Sequence, residues 1–78
     1  MNNKHKNLDE ILVAITEAAK KLIDVYGYSK IELAKELGIT RPSLDSRLSK
    51  NTWKKLEVFW INKLYLKESK ARTVWRSK

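Results

Sequence analysis

Gly27 and Gly38 are the only glycines in this 78-residue chain, and each closes a run of apolar residues spaced as on a helix. Each is followed two residues later by a hydroxyl side chain, Ser29 and Thr40. Glycine accepts the left-handed backbone that ends a helix, and Ser or Thr caps the next one. Residues 8–50 are therefore expected to form three successive helices. The first carries Leu8, Ile11, Leu12, Ile15, Ala18, Ala19, Leu22, Ile23 and Tyr26 in the i, i+3, i+4, i+7 rhythm, and Asn7 with Glu10 opens it as a capping box. Ser29 with Glu32 forms a second box, and Ile31, Leu33, Ala34 and Leu37 supply the inner side of a short second helix. The third has Leu44 and Leu48 inside. Pro42 suits a first turn, where a missing N–H costs nothing, and it leaves Thr40 and Arg41 as alternative caps. After a loop at 49–52, a fourth helix starts between Trp53 and Lys55 and reaches Leu66 or beyond. Its apolar residues go almost all the way round, more than one core absorbs. The expected fold class is all-α, a compact bundle of four or five helices. Residues 1–6 form a flexible tail, 7–66 the domain, and 67–78 a basic C-terminal extension whose form (helix, strand or tail) stays open.

Charge narrows the partner. Seventeen Lys and Arg stand against nine Asp and Glu, a net +8. Residues 1–28 hold four basic and four acidic side chains, residues 29–50 five and three, and residues 51–78 eight and two. A surface that only has to stay hydrated needs no such asymmetry; an anionic partner, nucleic acid or an anionic membrane surface, accounts for it. The chain contains no cysteine, which excludes a disulfide scaffold and any thiolate metal site and fits a reducing cytosol. No secretory signal is expected after Met1, since Asn2, Asn3, Lys4, His5 and Lys6 offer no apolar segment. His5 has no second His beside it to share a metal. The nearest carboxylate pairs, Asp9/Glu10 and Glu32/Glu36, belong to a helix start and an exposed helix face. General acid–base work wants a cleft that shifts their pKa values, for which so small a chain has little room. There is no Gly-rich phosphate loop and no Ser/His/Asp set, so the chain reads as a non-enzyme without cofactor, metal or small-molecule ligand.

In "IELAKELGITRPSLDSRL", residues 31–48, Ala34 precedes Gly38 by four residues and Leu44 follows it by six. Ala34 lets the third helix approach the second closely, and Gly38 turns the chain without a Cβ clash. This spacing resembles the helix-turn-helix of the Cro and phage-repressor family, the Xre-like regulators, over residues 29–50 by motif and 8–66 by helix order. Arg47 stands where that family often has an apolar residue. The resemblance implies a sequence-specific double-stranded DNA-binding transcriptional regulator, phage-repressor-like and cytoplasmic at the nucleoid, whose recognition helix (about 41–49) enters the major groove.

Carried over to this chain, the base-reading side comprises Arg41, Pro42, Ser43, Asp45 and Ser46. Arg41 can give bidentate donors to guanine, Ser43 and Ser46 can bond a base edge, Asp45 can accept from cytosine, and Pro42 can meet a thymine methyl. Ser29, Lys30 and Thr40 would grip phosphate at helix starts, and Arg47, Lys50, Asn51, Thr52, Lys54 and Lys55 would follow the backbone. Such regulators bind as two-fold dimers. On the fourth helix Leu56, Trp60 and Leu64 are expected to face the core, and Val58, Phe59, Ile61, Tyr65 and Leu66 a second copy.

Two other classes compete. One is a protein-interaction module, an adaptor or inhibitor that binds an acidic partner. The other is a basic amphipathic membrane-surface binder, drawn from "VFWINKLYLKESKARTVWRSK" at 58–78. Trp53, Trp60 and Trp75 could also form a stacking platform for single strands, although aromatics at helical spacing usually belong to a core, where Trp53 and Trp60 are expected.

Overall fold

The structure, a computed structural model, describes residues 8–76. They form four helices: α1 (Leu8–Asp24), α2 (Lys30–Leu37), α3 (Arg41–Lys50) and α4 (Lys55–Arg76). The expected tail at 1–6, with His5, and the Asn7 cap lie outside the described residues. α1 stops two residues before the last apolar position of its run. The Val25 and Tyr26 N–H groups both donate to the Lys21 carbonyl, at 2.8 and 3.0 Å, and Gly27 turns the chain at φ +84°.

The two short helices follow from their caps. Ser29 Oγ accepts from the Glu32 N–H at 3.0 Å, and the Glu32 carboxylate accepts from the Ser29 N–H at 2.9 Å, the full capping box. At the other end of α2 the Gly38 N–H reaches the Ala34 and Lys35 carbonyls, and the Ile39 N–H reaches the Ala34 carbonyl at 3.0 Å. This is a Schellman closure, and it demands the left-handed φ of +71° at Gly38. Thr40 caps α3: its Oγ1 accepts from the Ser43 N–H at 3.2 Å, and Arg41 is the first helical residue. Of the two candidate caps, Thr40 is therefore the one used. α3 ends at Asn51, left-handed at φ 56°, whose N–H returns to the Arg47 carbonyl at 2.8 Å.

α1 packs mainly on α4, and α2 on α3. Leu22, Leu33, Leu44 and Ile61 are completely buried, with Ile15, Ala19, Ala34, Trp53 and Leu64 around them. Ala34 sits at the place where the spacing asked for a small side chain.

The phase of α4 differs from the expectation. Its inner stripe is Glu57, Ile61 and Leu64, continuing from Trp53, so Leu56 is 79% exposed and Trp60 36%. The reason is that an acid occupies an inner position. Glu57 is bonded inside the fold, and its placement rotates Leu56 and Trp60 outward. Ile31, expected on the inner side of α2, is likewise exposed. α4 also continues through residues 67–76, which the sequence left open.

Tyr28 fastens the α1–α2 connection to α4, its hydroxyl donating to Glu68 Oε2 at 3.0 Å. Burial, the hydrogen bond to Glu68, and the charges of Glu68, Glu36 and Glu32 push its phenol up to about 12. The fold thus favours the neutral phenol. Its contribution is complete below the ordinary tyrosine value near 10 and is lost as pH rises through about 12. An ultraviolet-monitored alkaline titration is expected to show an ionisation near 12 in the wild type that Tyr28→Phe loses. An unchanged titration in Tyr28→Phe would contradict the contact.

No helix among the described residues is long and apolar enough to cross a membrane.

Candidate nucleic-acid interface

Because Leu44 and Leu48 hold the inner side of α3, a rotation of about 100° per residue places Pro42, Ser46 and Ser49 opposite. Pro42 and Ser49 are exposed and Ser46 half-buried. Arg41 shares the phase of Leu44 and Leu48 but is exposed as the first residue of α3, and Asp45, half-buried, stands at the edge of the outer face. Ser43 is drawn into the cap instead, with Thr40 Oγ1 donating to its Oγ at 3.0 Å. The expected base-reading residues therefore divide. Arg41, Pro42, Asp45 and Ser46 remain accessible, while Ser43 helps to build the helix start, as Ser29 and Thr40 do in the two caps.

Lys30, the first residue of α2, reaches across to α3, its Nζ 2.9 Å from Asp45 Oδ1. Both side chains are nearly half exposed, and an ion pair in that setting is worth about 0–1 kcal/mol. The pair lines a shallow depression together with Lys20 and Asp24 of α1 and Ser49 of α3, so two lysines there face two acids. Neither Lys20 nor Ser49 was singled out from the sequence. Ser49 could have been found, since it stands three residues after Ser46 on the same helical face. Lys20 lies on a different helix, and only the fold brings it near Lys30.

Arg47 has a different role from the one expected. Its Nε donates to Glu57 Oε1 at 2.6 Å and a terminal nitrogen donates to Oε2 at 3.1 Å, a two-pronged ion pair between α3 and α4. The Lys54 N–H adds a third bond to Glu57 Oε1 at 3.0 Å. Burial pushes the Glu57 carboxyl up. The hydrogen bonds from Arg47 and the Lys54 N–H, with the charges of Arg47 and Lys54, more than offset that and hold it below the usual range. The Arg47 guanidinium is raised by the same hydrogen bond, against its own burial. Asn51 is engaged as well: its Oδ1 accepts from the Thr16 hydroxyl at 2.5 Å. Of the residues expected to follow a phosphate backbone, Lys50, Thr52, Lys54 and Lys55 have exposed side chains.

The residues expected at a dimer interface do not share a face. Ile61 is fully buried in the core, Val58 is half-buried against it, Tyr65 is half-buried edge-on to Tyr26, and only Phe59 and Leu66 stand in solvent. The same rotation of α4 that exposes Leu56 and Trp60 takes Ile61 inward. Among the described residues, no group of three or more His, Cys, Asp or Glu side chains is arranged to hold a metal ion.

No protein-family model matches the chain, and no curated protein or solved structure matches it. The fold and its surfaces define a small all-helical domain. It is compatible with binding either nucleic acid or another protein.

Proposed function

We propose that the chain is a sequence-specific double-stranded DNA-binding regulator of transcription, acting in the cytoplasm at the nucleoid and without enzymatic activity. In this reading α2, the Gly38 turn and α3 form a helix-turn-helix of phage-repressor type, and α3 enters the major groove. The observation that supports it most is the division of labour on α3. Leu44 and Leu48 bind the helix to the bundle, while Arg41, Pro42 and Ser49 are exposed and Ser46 half-exposed, all outside the apolar core. A groove about 12 Å wide admits one such helix edge-on. Lys30 and Lys20 stand beside it to meet phosphate, and a chain of +8 is drawn to duplex DNA before any base is read.

Regulators of this kind usually act in pairs on palindromic sites. Pairing through the expected α4 residues would have only Phe59 and Leu66 to use, since Ile61 lies in the core.

Selection of bound duplexes from a random pool, followed by titration of the winner at several salt concentrations, tests the proposal. With about six phosphate contacts, affinity falls by roughly 10³ between 50 and 200 mM salt. Arg41→Ala is expected to relax preference at one base position by about 1–3 kcal/mol while nonspecific affinity holds. Lys30→Ala should weaken all duplexes alike and flatten the salt slope by about one unit. Unchanged sequence preference in both Arg41→Ala and Ser46→Ala would place the recognition surface elsewhere.

A further inference from the structure

We infer that the outer face of α4 is a docking groove for an acidic amphipathic helix of a partner protein. Leu56, Phe59 and Leu66 are 79%, 58% and 53% exposed, an unusual cost for a small domain to carry on one helix face. Phe59 and Trp60, with Leu56 beside them, meet Leu37 of α2 in a cleft of about 320 Å³. Glu36 at the rim accepts from the Trp60 indole N–H at 3.2 Å and holds the ring in place.

Charge identifies the occupant. Lys55, Lys63, Lys67 and Lys70 interleave with these apolar residues in solvent, whereas both acids of α4, Glu57 and Glu68, are bonded on its inner side to Arg47 and Tyr28. The Lys63 Nζ lies 5.7 Å from the ring centroids of both Phe59 and Trp60. One lysine thus covers the aromatic pair and presents its ammonium above it, where a carboxylate beside an apolar anchor would be received.

A second copy of this chain is a poor occupant, because two-fold pairing would set the four α4 lysines against four others with only Glu36, already bonded to Trp60, to answer them. A bilayer calls for an apolar stripe with its cations to the sides; here the cleft is concave and a lysine lies across its rings. Duplex DNA gives Leu56 and Phe59 nothing apolar to bury against. A helix with apolar residues at i, i+4 and i+7 and acids on both flanks satisfies the cleft and the lysines together.

The probe is a dye-labelled synthetic helical peptide of about 15 residues, with Leu and Phe at those positions and Glu on the flanks. Its anisotropy is followed with the full chain. Saturable binding that weakens with salt is expected, together with a loss of about tenfold or more in both Phe59→Ser and Lys63→Glu. The same peptide with Lys in place of Glu should not bind. Amide shifts should cluster on Leu37, Leu56, Phe59, Trp60 and Lys63. Both substitutions are at exposed sites, and superimposable thermal melts establish that the variants fold. Failure of the acidic peptide to bind, equal binding of acidic and basic peptides, or wild-type affinity in Phe59→Ser would overturn the inference. So would Phe59-dependent self-association in sedimentation, displacement of the peptide by duplex, or Phe59-dependent capture by phosphatidylserine vesicles in place of the peptide. Duplex binding is measured on the same preparation. A chain that binds duplex but not peptide fails here alone, and one that binds peptide but not duplex fails only as a DNA-binding regulator.

Discussion

Arg47→Ala is expected to destabilise the protein by about 3–5 kcal/mol, because it strips the partner from a carboxylate that stays buried. Glu57 is 6% exposed and takes both prongs of the guanidinium. At roughly 0.05–0.15 kcal/mol per residue, so short a chain has only about 4–12 kcal/mol in total. Urea melts of Arg47→Ala should therefore show a fold close to collapse, and its duplex binding should fail for that reason. The double variant Arg47→Met, Glu57→Leu removes both charges and leaves only the Lys54 N–H, at the start of α4, without its acceptor. It is expected to melt near the wild type and to keep the wild-type salt slope on duplex. A folded double variant whose slope is lower by about one unit would return Arg47 to the phosphate contacts.

Acidity gives the same interaction a second signature. Glu57 titrates lower in the fold than in the unfolded chain, so its contribution is present above the ordinary carboxylate range and disappears as pH falls through the folded value. Wild-type stability should decline on acidification more steeply than that of the double variant. In Arg47→Ala the largest lowering partner is gone, so Glu57 titrates higher there than in the wild type and the variant's deficit should narrow as pH falls through the carboxylate range. A deficit independent of pH would mean that the loss is one of packing rather than of charge.

Helix order was legible along the chain because each boundary there is written locally. Ser29 with Glu32, Gly38 and Thr40 act within a few residues of themselves, and their bonds are those the spacing implies. The resulting architecture, four helices with α2 and α3 closely packed, needs little else. The orientation of α4 was not legible. Apolar periodicity assumes that acids face water, and Glu57 and Glu68 break that assumption in partnership with Arg47 and Tyr28, ten and forty residues away. Two acids moved inward are enough to turn Ile61 into core and Leu56 into surface.

The candidate interface divides on the same principle. Pro42 and Ser46 could be placed from helical phase alone, whereas Arg41 shares the phase of Leu44 and Leu48 and is exposed because it stands at the helix start. Lys20 and the Lys30–Asp45 pair depend on contacts between helices, and the engagement of Arg47 and Asn51 depends on Glu57 and Thr16. A polar side chain near a candidate interface can serve the fold or the partner, and only its internal bonds distinguish the two.

Trp53→Ala should cost about 3–5 kcal/mol, the range for emptying a large buried aromatic site. Trp53 lies in the connection between α3 and α4, is 6% exposed, and belongs to the core formed by all four helices. Its indole N–H donates to the Thr16 hydroxyl at 2.8 Å. That hydroxyl shares its single proton between Asn51 Oδ1 at 2.5 Å and the Leu12 carbonyl at 3.2 Å. One chain of bonds thus joins α1, the left-handed end of α3 and the start of α4, and it determines where α3 stops. Trp53→Phe keeps most of the burial and loses one hydrogen bond, a loss of about 1 kcal/mol. Thr16→Val leaves the indole N–H and the Asn51 amide without their shared partner inside the fold, about 1–3 kcal/mol. Urea midpoints are therefore expected to fall in the order Trp53→Phe, Thr16→Val, Trp53→Ala. None of these residues lies on the accessible side of α3, so each variant, assayed where it is still folded, should select the same duplexes as the wild type. Equal midpoints for Trp53→Ala and Trp53→Phe would show that the ring's packing contributes little. Altered base preference in Thr16→Val would instead show that this network sets the angle at which α3 meets DNA.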